Sequence, residues 1–182
     1  MTLEVRSISK RFGPVQANDD VDLSVDPGVI HAVLGENGAG KSTLMKILSG
    51  FQDADSGEVW LDGSRIELGS PRSAIEAGIG MLHQDPLVAL PFTVLDNFVL
   101  GRRGRIDLAA ARRELEEGAA RLGFTLDPDA TTRNLSVGER QQLEIVRLLA
   151  LGVRVLILDE PTSGITTGQR ESLFAALRRL AT

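Results

Sequence analysis

The chain has 182 residues, 42% of them hydrophobic and 25% charged, which suits one globular domain or a domain with a small subdomain and excludes disordered and collagen-like classes. It contains no cysteine, so disulfides, thiolate metal sites and a cysteine nucleophile are excluded. The apolar runs fall well short of the ~20 residues that cross a bilayer, and the N-terminus lacks the apolar core of a signal peptide. A net charge of −5 without a basic block argues against nucleic acid as a partner.

The first predicted elements are those of a nucleotide-binding fold. Leu3–Ile8 and Val21–Val25 alternate apolar and polar residues, which predicts a half-buried antiparallel ribbon. Val29–Leu34 is almost wholly apolar, as is typical of a strand buried on both faces. A glycine-rich turn and a helix over Ser42–Leu48 come next, and strand, glycine-rich turn and helix in this order open an α/β nucleotide-binding fold.

The middle of the chain is predicted to be a hairpin followed by helices. Asp62-Gly63 is a strong turn signal between two alternating segments, and Gly78–Leu82 predicts a further core strand. From Asp85 to Gly152 the pattern is helical. Capping side chains mark the expected helix starts: Ser70 before Pro71, Thr93 with Asp96, Asp107 before Leu108–Leu122, and Ser136 with Glu139 before Gln141–Leu151.

The last segments are a strand and a helix. Val153–Leu158 returns to the apolar pattern of a buried strand. Thr166 and Gln169 form a capping box before a final helix, in which the chain stops without a cap. We therefore expect the chain to be a piece of a longer protein.

Residues 35–43 read GENGAGKST and fit the phosphate-loop pattern G-x-x-x-x-G-K-[ST]. Glycines let successive backbone N–H groups point into one concavity that binds phosphate oxygens, and the following helix adds its positive N-terminal dipole. We expect Lys41 to supply a full charge to the β- and γ-phosphates and Ser42 to ligate Mg²⁺. A chance glycine-rich turn is the alternative, but the flanking strand and helix favour a phosphate loop. The predicted nucleotide contacts are Gly35, Asn37, Gly38, Gly40, Lys41, Ser42 and Thr43.

Two carboxylates, Asp159 and Glu160, follow the apolar strand that ends at Leu158. A buried strand delivers its C-terminal residues to the ligand edge of a parallel sheet. Asp159 is therefore a candidate metal ligand, and Glu160 is a candidate general base that polarises the attacking water. The alternative is a solvated helix cap after a core strand, and the presence of a phosphate loop in the same chain argues against it.

A third motif, Leu135–Gln142 with the sequence LSVGERQQ, is more restrictive, because many P-loop enzymes share the first two motifs. It reads as a capped helix start with a glycine in the first turn, and such a helix end is an anion site. The alternative is that Ser136 only caps the helix. The order of the motifs favours the functional interpretation: phosphate loop, Gln84, capped helix and acidic strand.

With its motifs in this order the chain resembles the ATP-binding-cassette (ABC) ATPases over essentially its whole length. GENGAGKST is similar to the family's Walker A motif, LSVGERQ to its signature loop, and VLILDEP to its Walker B motif with the catalytic glutamate. Gln84, in the segment LHQD, resembles the family's Q-loop glutamine, which links the γ-phosphate and the metal to the helical subdomain. Phe12, in KRFG, lies where the family carries an aromatic residue that stacks on adenine; a core phenylalanine is the alternative.

The resemblance implies an α/β fold of the P-loop NTPase (RecA-like) type, C-terminally truncated, with an N-terminal antiparallel β subdomain and an inserted helical subdomain. Residues 1–84 and 153–182 would form the nucleotide-binding core, and residues 85–152 the helical signature subdomain. The implied cofactors are ATP and Mg²⁺. The implied catalytic residues are Glu160, Gln84 and Lys41, and the implied metal ligands are Ser42, Gln84 and Asp159.

The resemblance also implies partners. A second nucleotide-binding domain, in a tandem cassette or a homodimer, would pair head to tail, so that Ser136 and Gly138 of one domain bind the γ-phosphate held by the other. A membrane-embedded permease subunit would dock on the helical subdomain at the cytoplasmic face of the cell membrane, and a solute-binding protein would act indirectly. The motif details are most similar to importer ATPases for simple sugars or nucleosides.

Two alternatives remain at this stage. One is a non-transport ABC-type ATPase that acts on ribosomes or DNA, and the other is a regulatory module that binds nucleotide without hydrolysis. Thr166 stands where the family usually has an aspartate. The family's switch histidine would lie beyond position 182, so we expect little or no ATP turnover by this chain alone. His31 is expected to be a core residue.

Overall fold

The computed structural model describes residues 2–181. The strands are Leu3–Phe12 (β1), Val15–Val25 (β2), Ser56–Leu61 (β3), Ser64–Ile66 (β4), Ile79–Leu82 (β5) and Val155–Leu158 (β6). The α-helices are Lys41–Leu48 (α1), Pro71–Ala77 (α2), Val94–Val99 (α3), Leu108–Leu122 (α4), Val137–Ala150 (α5) and Thr167–Leu180 (α6), and Thr132–Asn134 is a short 3₁₀-helix. The chain forms two compact units: residues up to Met81 with Val153–Asp159, and Leu82–Gly152 with Glu160–Leu180.

The first unit contains a four-stranded antiparallel sheet in the order β2-β1-β3-β4. β1 and β2 form a hairpin that closes where Phe12 pairs with Val15, so the predicted ribbon is confirmed. Asp62 and Gly63 adopt left-handed backbone between β3 and β4, with φ of 50° and 75°. This is the tight turn that the Asp-Gly pair predicts, because both central residues of a type I′ turn need a positive φ.

A second sheet of the structure has two strands, β5 and β6. All four residues of β5 are buried, as the predicted core strand requires. The core of the first unit joins side chains from both sheets and from α1 and α2, which are Leu3, Val5, Ile8, Leu44, Ile47, Leu48, Val59, Leu61, Ala74, Ile79, Met81 and Ile157. The start of α1 and the end of β6 are therefore fixed to one core.

The predicted buried strand at Val29–Leu34 is wrong. These residues form neither helix nor strand, and all of them are exposed, Leu34 to 89%. The physical reason is the lack of a neighbour, since no strand among residues 2–181 pairs with the segment, and a lone extended segment gains neither ladder hydrogen bonds nor burial. His31, expected in the core, is exposed for the same reason.

The second unit is built from α3, α4, α5 and α6, which contact one another. Thr93 and Ser136 form capping boxes, and Asp107 accepts hydrogen bonds from the first turn of α4, as predicted. α5 begins at Val137 rather than at Gln141, because Ser136 is its N-cap. The buried apolar side chains of these four helices are Val94, Leu95, Phe98, Ala111, Leu115, Ala119, Leu122, Leu143, Ile145, Val146, Leu148, Leu173, Ala176 and Leu177. Within residues 2–181, every helix is too short or too polar for a bilayer crossing.

Hydrogen exchange tests the correction at Val29–Leu34. We expect the backbone amides of this segment to exchange near the rate of an unstructured peptide, because they are exposed and outside any ladder. The amides of Ile79–Leu82 are the control and should exchange far more slowly, since β5 is buried. Equal protection of the two segments, measured by mass spectrometry, would show that residues 29–34 do form a strand.

Candidate functional site

The phosphate-loop segment leads directly into α1. The N–H of Leu44 donates to the Gly40 carbonyl at 3.0 Å, so helical hydrogen bonding starts at the last glycine of the loop. Lys41 folds back, and its Nζ donates to the carbonyls of Gly35 and Glu36 at 2.8 and 2.9 Å. Lys41 forms no ion pair with any residue in the described part of the chain, so its charge stays available to an anion over the loop.

Gly40 is where β2 approaches the loop most closely. Its backbone is left-handed, with φ of 84°, and a Cβ built on it would lie 1.9 Å from the carbonyl oxygen of Ala17. Asn18, a buried residue of β2, donates its Nδ2 to the Gly40 carbonyl at 3.2 Å. Gly38 has the same φ of 84°, but a Cβ there would meet nothing within 4 Å. The loop is thus anchored at its last glycine by β2, which the sequence motif alone does not reveal.

The two predicted metal ligands of the first unit meet. Ser42 in the first turn of α1 donates its Oγ–H to Oδ1 of Asp159, which directly follows β6, at 3.3 Å. A hydroxyl and one carboxylate fit Mg²⁺, which keeps several waters and is completed by substrate phosphates. Residues 2–181 contain no group of three or more His, Cys, Asp or Glu side chains that could hold a metal ion.

Glu160 has an unusual backbone. It is exposed, and its φ of 47° is left-handed although it is not glycine. Ser163 supports this conformation, since its N–H donates to the Glu160 carbonyl at 3.0 Å and its Oγ lies 3.5 Å from Oε2 of Glu160. A left-handed conformation of a residue other than glycine costs about 1–2 kcal/mol of stability, and such residues are concentrated at functional sites. Gln84, the other predicted catalytic residue near a strand end, is exposed and lies just after β5.

Phe12 ends β1 and is 46% exposed, which excludes the core alternative. The Nζ of Lys10 lies 5.6 Å from the ring centroid, and the same ammonium is paired with Asp55 at 2.6 Å. Hydrogen bonds from Lys10 and from the Arg11 N–H lower the pKa of Asp55. Phe12 is therefore an exposed aromatic residue on the hairpin whose second strand contacts Gly40.

The predicted anion site at the start of α5 is covered by Gln169. Its Nε2 donates to Oγ of Ser136 at 2.8 Å, while its Oε1 accepts from the N–H of Thr166 at 3.0 Å. The Ser136 hydroxyl donates in turn to Glu139 at 2.6 Å. A Cβ on Gly138 would lie 2.6 Å from Cδ of Gln169. The sequence predicts Gln169 only as the partner of Thr166 in a capping box, and its second contact is a finding of the structure.

Comparison with known sequences gives one family and a consistent group of relatives. The model of the ABC transporter family matches residues 18–163 of this chain. The chain is 46% identical to the ribose import ATP-binding protein RbsA of Chromobacterium violaceum, over 99% of this chain and 37% of that protein. It is 42% identical to the nucleoside import ATP-binding protein NupA of Lactococcus lactis subsp. cremoris, over 98% of this chain and 36% of that protein. The chain thus spans little more than a third of the length of these relatives.

Solved structures share the fold. The ADP conformation of MJ1267, an ATP-binding cassette of an ABC transporter, superposes with a TM-score of 0.86 at 27% identity, over 100% of this chain and 77% of that one. The dimeric cassette MJ0796 superposes with a TM-score of 0.82 at 21% identity, over 98% of this chain and 82% of that one. The predicted α/β cassette fold is confirmed.

Gly38 and Gly40 form a matched pair for mutation. Gly38→Ala should cost about 1–2 kcal/mol of unfolding free energy, because only the left-handed backbone is strained. Gly40→Ala has the same backbone and in addition forces a Cβ onto the Ala17 carbonyl, so we expect a clearly larger loss. Urea denaturation of both variants measures the difference, and equal losses would contradict the close approach of β2.

The contact between Gly138 and Gln169 predicts energetic coupling. Alanine in a helix is better than glycine by about 1 kcal/mol, but Gly138→Ala must displace the Gln169 amide and break a hydrogen bond of about 1 kcal/mol. We expect G138A to be nearly neutral in the wild-type chain and to stabilise by about 1 kcal/mol in a Q169A background. Denaturation of the four chains of this double-mutant cycle measures the coupling, and purely additive effects would show that Gln169 does not cover Gly138.

Proposed function

The chain belongs to the ABC transporter family, and on that premise we propose that it is the ATP-binding and ATP-hydrolysing part of a membrane importer for a simple sugar or a nucleoside. The observation that carries the proposal is the pairing of the phosphate loop with Asp159 through Ser42 at 3.3 Å. The names of the relatives, which are ribose and nucleoside import ATP-binding proteins, support the choice of solute. They give no support to the ribosome- or DNA-acting alternative.

Nucleotide binding is assigned to the first unit. The loop N–H groups and the α1 dipole attract the phosphates, and Lys41 adds a full charge once its ammonium turns from the Gly35 and Glu36 carbonyls to a phosphate oxygen. Phe12 offers its exposed ring to the adenine. Bound Mg²⁺ would neutralise charge that develops on the β- and γ-phosphates. Ser42 and Asp159 would hold it there, with Gln84 as a further ligand.

Hydrolysis of ATP to ADP and phosphate needs a positioned water. Glu160 is the proposed general base, since it follows Asp159 directly and its left-handed backbone is held by Ser163. In this role its carboxylate orients the water and takes a proton as the oxygen attacks the γ-phosphate. Gln84 would contact the same water. Because its position would depend on whether the γ-phosphate is present, it would link the γ-phosphate to the helical subdomain, residues 85–152.

Two partners follow from the proposal. A second nucleotide-binding domain, in tandem or as another copy, would present Ser136 and Gly138 to the γ-phosphate, and Gln169 must leave Ser136 for this contact to form. A membrane-embedded permease would dock on the helical subdomain at the cytoplasmic face of the membrane, with a solute-binding protein acting indirectly. Exposed apolar side chains of this subdomain support a docking surface: Leu87, Leu90, Phe92, Leu100, Ile106 and Leu108.

Removal of the Lys41 charge tests the proposed function. Lys41→Ala should weaken Mg-ATP binding by at least about tenfold, or ~1.4 kcal/mol, because no other ammonium lies in the loop. Lys46→Ala is the matched control, since it removes the same charge from the exposed side of the last turn of α1. Calorimetric titration of the three chains decides the question. Equal affinity of the wild-type chain and the Lys41 variant would remove the phosphate-loop assignment and the proposed function with it.

A further inference from the structure

The segment that follows Gln84, residues 85–92, lies outside any helix or strand, and side chains of two helices bind its backbone. At Leu87, the N–H donates to Oε2 of Glu144 at 3.1 Å, and the carbonyl accepts from Nη2 of Arg147 at 3.5 Å. One residue pair of α5 therefore contacts both polar groups of Leu87. We call residues 85–92 the strap.

A second side chain holds the strap two residues further on. Oδ1 of Asn97 accepts from the N–H of Ala89 at 2.7 Å, and Nδ2 of Asn97 donates to the Ala89 carbonyl at 3.0 Å. Asn97 is fully buried and also donates to the hydroxyl of Thr132 at 2.9 Å. The strap is thus fixed at alternate residues, at Leu87 by α5 and at Ala89 by α3.

The pair that holds Leu87 is costly to bury. Glu144 is 1% exposed, and burial raises its pKa from 4.5 to about 6 despite the attraction of Arg147, which lies 3.3 Å away. Because an acid with a raised folded-state pKa binds more protons when folded, ionisation of Glu144 lowers the stability as the pH rises from about 4.5 to about 6. Buried ion pairs are often no better for stability than apolar residues of the same volume. A gain in stability therefore does not explain why these two charged side chains are buried. Their hydrogen bonds to the Leu87 peptide do explain it.

We propose that Glu144 and Arg147 are positioning residues that fix the strap to α5, so that a displacement of Gln84 moves the helix that begins after Ser136. Gln84 lies three residues before Leu87, and Ser136 lies eight residues before Glu144, about 12 Å along the helix. Both proposed γ-phosphate contacts of the second unit are therefore connected through one carboxylate and one guanidinium, in addition to the backbone N–H groups of Thr132 and Arg133, which donate to the strap at Phe92 and Leu90. The consequence for Gln84 and Ser136 rests on the proposed function, but the attachment of the strap does not.

The test replaces the pair without leaving a lone buried charge. E144M/R147M roughly keeps the volume of both side chains and leaves no lone buried charge, so it should still fold, with somewhat lower stability because the Leu87 N–H loses its acceptor. Exchange of the Leu87 amide, measured by NMR, should accelerate by at least about tenfold, while the Ala89 amide, which Asn97 holds, should change little. The double variant R112M/D129M is the matched control, because it removes an exposed ion pair of the same unit, and it should leave both amides unchanged.

A conservative variant separates positioning from packing. E144Q keeps an oxygen that can accept from the Leu87 N–H, so protection of that amide should stay within about threefold of wild type. If E144M/R147M does not fold, E144L and E144Q can be compared at the Leu87 amide in its place. A Leu87 amide that is equally protected in E144Q and in the methionine or leucine variant overturns the proposal, whatever happens to ATP binding.

Addition of Mg-ATP then tests the consequence. In the wild-type chain we expect nucleotide to change the exchange of residues 137–140 at the start of α5, and in E144M/R147M this response should fall to less than half at an unchanged ATP affinity. An equal change of exchange in both chains would show that Glu144 and Arg147 do not couple the strap to the start of α5. Absence of ATP binding in the wild-type chain would instead contradict the proposed function, and the Leu87 comparison would still decide on the attachment.

Discussion

The structure depends on the contact between the first turn of α1 and the end of β6. Ser42 and Asp159 are 117 positions apart in the sequence and meet at 3.3 Å. The contact places a carboxylate beside the positive end of a helix, where negative charge is favoured. It forms because Leu44, Ile47 and Leu48 of α1 share one apolar core with Ile157 of β6. The phosphate loop is closed on its other side by β2 at Gly40. The candidate site is therefore a product of core packing, and the loop motif supplies only its chemistry.

The second unit is organised by polar side chains that bind backbone groups. Thr93 and Ser136 cap their helices reciprocally with the third helical residue, Asn97 satisfies both polar groups of Ala89, and Glu144 accepts from Leu87. Each of these contacts fixes a peptide in one direction, which an apolar contact cannot do. Because a buried polar group that loses its partner costs about 1–3 kcal/mol, these contacts hold the bound loops in one orientation.

Local chemistry explains which features the sequence predicts well. The helix starts at Thr93, Asp107 and Ser136 are set by capping within four residues, and the Asp62-Gly63 turn needs only its own two residues. The strand expected at Val29–Leu34 does not form, because a strand needs a partner that no local pattern supplies. Glu144 shows a different limit. Its spacing on α5 fits any helical surface, so its burial against the strap follows only from the tertiary structure.

The exposed segment at Val29–Leu34 also has a colloidal consequence. It presents six consecutive residues, VIHAVL, with high β-propensity, no proline and no acidic or basic side chain other than a histidine. Such a run is a template for pairing with an identical run of another molecule. Its residues are already exposed and outside any helix or strand, so this association does not require the folded core to open. Pairing at this segment would lower the concentration at which the chain stays monodisperse, and a charged substitution at Val29, which lies outside the phosphate loop, would oppose such pairing.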